Sequence, residues 1–367
     1  MRFINKRVKV WFLTGSLPPH FSGAGKNDYL IAPHCVKNGL DVTFLAPKYS
    51  DQGENDYNGI INYGLPVPGK YSSRILISFR VLQLLRSKPH PDIIRMRGYA
   101  FSRSIVTKMV KYLYPHIKIV VQPAMYGGDD PVSIQKKRFG FFVKDELLKS
   151  DAIFAMNSNM MNVFKIYNYP IERLYEVQNP VDTEKYKPVS YEEKLKIRKN
   201  LNLPENDLII ATMGILSKRK NQSFVTKAFN KAYQNENGKN LSLVHIGPTS
   251  KDLKSLGRFE ANDDAIEEEV RIRLSLNNCD SAKKVHLVGY QKDPEIYLKA
   301  VDFFVHASTE EGESNVINEA LSCGLPCIIP YTDVYSRQVL DSCGLRFRSN
   351  NKISLCEQIL KIISNKK

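Results

Sequence analysis

Glu311 and Glu319 stand with seven residues between them in Ser308-Thr-Glu-Glu-Gly-Glu-Ser-Asn-Val-Ile-Asn-Glu-Ala-Leu-Ser-Cys-Gly-Leu-Pro-Cys-Ile-Ile329. The segment leaves an apolar run, Phe303-Phe304-Val305, and passes an acidic turn containing Gly312. It then enters a helical pattern that stops at Gly324-Leu-Pro326, before a second apolar run. A helix start offers unpaired backbone amides to an anion. Carboxylates accept hydrogen bonds from hydroxyl groups. One carboxylate on each side of a helix start therefore suits a sugar nucleotide, with amides for the phosphates and carboxylates for the hydroxyls.

Three other stretches could serve the same ligand. Lys218, Arg219 and Lys220 follow an apolar run and Gly214, where an open α/β sheet binds ligands at the ends of its strands. They could neutralise a diphosphate leaving group; the alternative is a solvated basic turn. The stretch Thr14–Asn27 carries glycines, Gly23 among them, that let backbone approach an anion. It lacks the third glycine and spacing of GxGxxG. It also carries His20 and Asn27 where a P-loop needs Gly and Ser or Thr. A loop that merely turns is an equal reading. In Val285-His-Leu-Val-Gly-Tyr290, Gly289 could offer main-chain groups to a nucleobase while Tyr290 packs on it, or Tyr290 could be a rim aromatic.

These stretches need a scaffold of strands ending in loops. Apolar runs predict strands at Val8–Leu13, Asp41–Leu45, Asp92–Arg95, Ile117–Val121, Ala152–Ala155 and Arg173–Val177 in the first half. The second half repeats them at Leu208–Met213, Leu241–Ile246, Lys284–Val288, Phe303–Val305 and Pro326–Ile329. Helical patterns intervene at Asn27–Asn38, Tyr71–Arg86 and Phe101–Tyr114, and near-continuous apolar strands alternating with helices indicate parallel sheets covered on both faces. The proline-bearing, charged stretch Asn179–Pro188, followed by a short polar helix over Tyr191–Asn200, reads as the junction. The expected architecture is α/β: two Rossmann-like, doubly wound parallel-sheet domains, residues 1–182 and 183–367, facing a central cleft.

The chain has 367 residues and a net charge of +15. Residues 1–190 hold 27 Lys and Arg against 15 Asp and Glu (+12), and residues 191–367 hold 26 against 23 (+3). A basic first half points to an acidic partner, such as anionic lipid headgroups or a phosphate-bearing acceptor, or to a merely solvated surface. No nucleic-acid-reading motif is present, and no nucleic-acid partner is expected. No apolar run approaches the ~20 residues of a membrane-spanning helix. Val10–Leu13 is too short for a signal-peptide core, so a cytoplasmic protein is expected, and at the inner face of the cell membrane if the basic first half meets anionic lipid. Six irregularly spaced cysteines suggest neither a disulfide framework nor a zinc site.

Taken in order, these motifs resemble the retaining glycosyltransferases of family 4, which have the GT-B fold. The resemblance rests on Pro18-Pro-His-Phe-Ser-Gly23 with Asn38-Gly-Leu-Asp-Val-Thr-Phe44, Asn179-Pro-Val-Asp182, Gly214 with Lys220, and Val288-Gly-Tyr290. Its strongest part is Glu311-Gly-Glu-Ser-Asn-Val-Ile-Asn-Glu319-Ala-Leu-Ser-Cys-Gly-Leu-Pro326, the family's E-x7-E motif. It implies that Glu311 contacts the transferred sugar and Glu319 the ribose hydroxyls. The amides of Gly312, Glu313, Ser314 and Asn315 would receive the diphosphate. Lys220, with Arg219 or Lys218, would stabilise it as it leaves, and Gly23 would let its loop approach the phosphates. The resemblance further implies a metal-independent enzyme without cofactor, using a donor such as a UDP- or GDP-sugar. The acceptor would be a glycan or lipid-linked saccharide of bacterial surface polysaccharide synthesis, with a peripheral contact between the basic first domain and anionic membrane. A GT-B sugar-nucleotide epimerase and a non-catalytic sugar-nucleotide-binding protein are the competing readings.

The chain departs from the family pattern in three places. Ile215 stands where many members carry arginine. The loop Val121–Asp130 lacks the usual histidine, leaving Asp129 and Asp130 as acceptor-side candidates. Tyr331–Leu345 lacks the usual Gly-Gly and Glu.

Overall fold

The computed structural model describes all residues except 1–6, 16, 18–22, 49–56, 58, 68–70, 236–239, 256–261, 333, 334, 336, 337 and 365–367. The basic residues Arg2 and Lys6, and Pro18–Ser22 of the glycine-bearing stretch, lie outside the described residues. The chain divides into two compact units, Met1–Pro180 and Val181–Lys367.

The first unit has strands β1 (Lys9–Leu13), β2 (Asp41–Leu45), β3 (Ile93–Arg97), β4 (Lys118–Gln122), β5 (Ala152–Ala155) and β6 (Leu174–Glu176). They form one sheet in the order β2-β1-β3-β4-β5-β6, and every pairing is parallel. Helices α1 (Gly23–Lys37), α2 (Tyr71–Ser87), α3 (Phe101–Leu113), α4 (Pro131–Gln135), α5 (Gly140–Leu148) and α6 (Ser158–Ile166) make the crossovers. Beyond β2, Asn62 and Leu65 form parallel bridges to Phe44 and Pro47, where a further strand would add to the edge. Strand residues alternate between two cores: Trp11 and Leu13 pack with the α2–α3 side, Val10 and Phe12 with the α1 side.

The second unit opens with α7 (Tyr191–Asn200), capped by Ser190, whose Oγ accepts from the Glu193 amide at 3.2 Å. Its sheet contains β7 (Leu208–Met213), β8 (Leu241–Ile246), β9 (Val285–Leu287), β10 (Phe303–Val305), β11 (Cys327–Pro330) and β12 (Gly344–Phe347). The order is β12-β11-β10-β7-β8-β9, again all parallel. The crossovers and flanks are α8 (Gln222–Tyr233), α9 (Ser250–Ser255), α10 (Asn262–Leu276), α11 (Glu295–Ala300), α12 (Asn315–Ser322) and α13 (Lys352–Ser364).

All six residues of β7 and all six of β8 are buried. Neither strand has a solvent-facing side because helices cover both faces, so even Thr212, Ser242 and His245 are buried. Asp302 ties the start of this sheet together. It accepts from the Ile209 amide at 2.8 Å and from Arg198 at 2.7 Å, and Lys194 lies 3.3 Å away. From β7 the chain runs outward through β8 and β9, then returns to β7's other side with β10. That reversal puts the loops after β7 and β10 side by side, which is where doubly wound sheets bind ligands.

The expected strands are present with ends shifted by a few residues. Three features differ from the sequence reading. Helix α1 begins at Gly23 rather than Asn27, and β12 and α13 complete the second unit beyond the last expected strand.

Candidate active site

Strand β7 delivers its chain to Gly214, at φ 144°, a conformation side chains disfavour. The amide of Gly214 donates to Ile246 O at 2.9 Å, and that of Gly247 to Gly289 O at 3.0 Å. A Cβ on Gly247 would lie 2.1 Å from Gly214 O. Three neighbouring strands thus end in glycines packed backbone to backbone. Beside them Asp252 accepts from the amides of Thr249 at 2.8 Å and Tyr290 at 3.0 Å, which fixes the turn carrying the half-exposed Tyr290 ring.

The three cations separate in their surroundings. Lys218 is exposed, and its amide donates to Asp264 Oδ1 at 3.0 Å. Arg219 donates from Nη1 to Glu311 Oε1 and to Glu310 O, both at 2.9 Å. Lys220 donates from Nζ to the same Glu311 oxygen at 2.5 Å. The loop after β10 is also pinned to this turn through its backbone, because the Thr309 amide donates to Arg219 O at 3.0 Å.

Burial alone would raise the Glu311 pKa, but the Lys220 ammonium, with His306 and Arg219, outweighs it and brings the group down to about 2. Burial lowers the Lys220 pKa, with Glu311 opposing the shift. His306 lies under the pair, its Nε2 3.8 Å from Glu311 Oε1. Burial holds its pKa at about 3, helped by the nearby Lys220 ammonium, so at neutral pH the imidazole is uncharged. Its ring stacks on Phe304 and meets the edge of Tyr335 at 5.4 Å between centroids.

Ser314 leads into α12. Its amide donates to Gln338 Oε1 at 3.2 Å, and Gln338 Nε2 donates to Ser314 O at 3.1 Å and to Asn318 Oδ1 at 2.9 Å. Asn318 Nδ2 donates to Glu313 Oε1 at 3.0 Å. Among the described residues, Ser314 Oγ and His306 Nε2 are buried without a hydrogen-bond partner. Glu319 is buried in α12, and its charge favours the ammonium form of Lys220.

The structure therefore brings Arg219, Lys220 and Glu311 into direct contact, with the start of α12 following the same loop. Gly214, Gly289 and Tyr290 belong to the adjoining strand ends. Gly23 lies in the first unit, at the start of α1. Asp129 accepts from the amides of Tyr99, Ala124 and Met125 at 2.7–3.0 Å. Asp130 caps α4 through the Ser133 amide at 3.0 Å and also accepts from the Gly127 amide. Both carboxylates thus organise their own loop, and an acceptor hydroxyl would have to compete with these amides.

Sequence reasoning missed His306, Gln338, Tyr335 and Gly247. A histidine directly after the apolar run 303–305 was a usable signal, since it falls at the C-terminal end of a parallel strand. Gln338 carried no signal.

The group 1 glycosyl transferases ("Glycosyl transferases group 1") match residues 193–367, close to the whole second unit. An Escherichia coli UDP-Gal:alpha-D-GlcNAc-diphosphoundecaprenol alpha-1,3-galactosyltransferase is 28% identical over 153 residues, 42% of this chain and 35% of that protein. The match spans about a third of the length of the curated relatives. Among solved structures, sucrose-phosphate synthase from Thermosynechococcus elongatus superposes with a TM-score of 0.78 at 14% identity, covering 98% of this chain and 90% of that one. Anabaena HepE in complex with UDP-glucose gives 0.74 at 16% identity, covering 98% and 91%. These likenesses show the two-domain GT-B fold.

Proposed function

From a chain whose residues 193–367 match the group 1 glycosyl transferases, we propose that the protein transfers a sugar from a nucleotide-sugar donor to a hydroxyl of a lipid-linked saccharide or related glycan. The observation that carries this reading is Glu311 held between Lys220 and Arg219 in the loop that leads into α12. The two cations and the helix start offer positive potential to a diphosphate. The ionised Glu311 offers acceptor oxygens to hydroxyls of the transferred sugar, and Glu319 is assigned to the ribose. The relative acting on a diphosphoundecaprenol-linked sugar supports a lipid-linked acceptor, and the UDP-glucose complex of the structural neighbour supports a UDP-sugar donor. A bacterial surface-polysaccharide pathway remains part of the proposal.

In this reaction the acceptor oxygen forms a bond to the anomeric carbon while the bond from that carbon to the β-phosphate oxygen breaks. The anomeric configuration is retained, with attack from the face of the leaving group. The departing phosphate oxygen takes the acceptor proton. Negative charge grows on the diphosphate, so Lys220 and Arg219 transfer part of their pairing from Glu311 to the phosphates as the bond breaks. Such preorganised donors contribute most where charge develops.

The test starts with a panel of UDP- and GDP-sugars screened for thermal stabilisation of the full chain, since a ligand that binds only the folded state raises apparent stability. The stabilising donor is then incubated with polyprenyl-diphosphate saccharides, with and without Glu311→Ala. Donor-dependent extension of the acceptor, lost in the variant, is the expected result. Conversion of the donor to an isomer in the absence of acceptor, or transfer that survives Glu311→Ala, would overturn the proposal.

A further inference from the structure

The segment Pro131–Lys144 contains four cations (Lys136, Lys137, Arg138, Lys144) and no carboxylate. It folds as α4, a tight turn and the first half of α5. Val143 and Leu147 bury the inner face of α5. Phe139 and Phe141 remain 57% and 65% exposed. The backbone of Phe139 is also strained, with φ at 59°. The other non-glycine residues of positive φ among the described residues are all asparagines: 168, 202, 221, 278 and 350. Asparagine tolerates this conformation and phenylalanine does not.

The turn is fixed from behind. A Cβ on Gly140 would lie 2.2 Å from Ile134 O, so α5 starts directly against α4's backbone and Phe139 is held outside. A strained, exposed phenylalanine stabilises little within the unit; its ring meets Phe101 at 5.3 Å between centroids.

Cations cover these rings. The Arg138 guanidinium lies 5.0 Å from the centre of the Phe139 ring. Lys144 Nζ lies 5.3 Å from Phe141 and 5.6 Å from Tyr167, which joins the turn to the end of α6. There Ile166 is 73% exposed beside the exposed Lys165. The result is a surface of protruding apolar side chains framed by Lys136, Arg138 and Lys165, with Lys144 paired to the exposed Asp145 at 3.2 Å on its margin. A nucleic acid would use the cations and rings but has nothing to offer Ile166. A bilayer containing anionic lipid matches both halves: apolar side chains enter the boundary between headgroups and acyl chains, while Lys and Arg remain at the phosphates.

We propose that the α4–α5 turn, with the end of α6, docks the protein onto anionic bilayers, with Phe139 and Phe141 as the inserted residues. The proposal deepens the lipid-linked acceptor reading and rests on it for its purpose.

The test is co-sedimentation of the full chain with vesicles of phosphatidylcholine alone or with about a third phosphatidylglycerol, without any sugar nucleotide. Binding to the anionic vesicles, weakened by salt and slight on neutral ones, is expected. Phe139→Asn with Phe141→Ser should lower the vesicle partition constant by about tenfold or more, since each phenylalanine loses its apolar transfer. Phe139→Asn alone should melt no lower than the parent, because asparagine suits the left-handed backbone, and this separates docking from folding. Lys136→Glu with Arg138→Glu should remove the preference for anionic lipid.

Absent binding, equal binding to both vesicle types, or binding indifferent to both pairs of substitutions would overturn the proposal. So would retention of RNA, or self-association through the same residues, in place of vesicle binding. Transfer to a water-soluble acceptor should be unchanged in these variants. If that transfer is absent while vesicle binding persists, the catalytic reading fails and the docking surface stands.

Discussion

In the first unit the charges near the C-terminal end of the sheet close on one another. Arg95 pairs with Asp28 at 2.5 Å, with side chains 8% and 1% exposed. Arg95 and Arg97 share Gln122 Oε1 at 2.6 and 2.7 Å, and Arg97 reaches Asn179. At the same end of the second sheet, Lys220 and Arg219 converge on Glu311, but the Arg219 side chain is 41% exposed. Both sheets are six-stranded and parallel and reverse direction beside their first strand. What differs is where the cations are rooted. Arg95 and Arg97 project from the strand itself and are sealed into the interior, where their partners must be permanent. Lys220 and Arg219 sit on a loop beyond Gly214, where the Arg219 side chain reaches solvent, and hence a ligand, while Lys220 is 15% exposed behind it. A common topology provides the place for a site, and the depth of the charges decides whether it is a brace or a site.

This contrast can be broken from either side. The largest effect is expected for Asp28→Ala, which leaves the Arg95 guanidinium buried without its counter-charge. A loss of about 3–5 kcal/mol in urea unfolding is expected, with donor affinity of the folded protein unchanged. If donor affinity falls while stability holds, the first network is a site and the contrast fails. Next, Lys220→Ala should slow transfer by roughly 10²–10³-fold, about 2.7–4 kcal/mol of transition-state stabilisation, while the circular dichroism spectrum is retained. A normal turnover number would remove Lys220 from the chemistry.

Acid should discriminate further within the second unit. Burial lowers the pKa of His245, which bridges Thr212 and Thr226, to about 3, and that of His306 also to about 3. Both are neutral when folded, whereas unfolded histidine takes up a proton below about 6.5. Stability contributed this way is present above pH 6.5 and declines as the pH falls towards 3. The lowered Glu311 pKa adds a contribution present above about 4.5 and lost as the pH falls to 2. Melting temperatures measured from pH 7 to 3 should fall, and His245→Gln should flatten the slope; a profile flat in the parent would refute the assignment. The smallest effect is expected for Gln338→Ala. One neutral hydrogen bond to the Ser314 amide is worth about 1 kcal/mol, so donor affinity measured by calorimetry should change by no more than about tenfold.

The parallel sheets were legible because strands covered on both faces are written as apolar runs, as in Leu208–Met213 and Leu241–Ile246. Strand β12 was not, because Gly344-Leu-Arg-Phe347 is an edge strand, short and mostly half-buried, with no run to betray it. The approach to α12 was readable from its glycine and glutamates. That Glu311 meets Lys220, 91 residues earlier, was not written in any local spacing. It follows from the order of strands, with β10 returning to lie against β7. Gln338 escaped notice for the same reason, since it comes from a loop whose composition says nothing about where it folds back.

The backbone contact between Gly247 and Gly214 bears on how the protein tolerates change. At position 247 even one methyl group would push on the carbonyl oxygen of Gly214, six residues before Lys220. Gly247 meets the backbone of Gly214, beside which the Lys220 side chain packs, so its substitution would displace the platform under that cation. A library of all side chains at this position should therefore read as intolerant as one at Lys220 itself. Selection can hold a residue fixed for the space it leaves empty as firmly as for the group it presents.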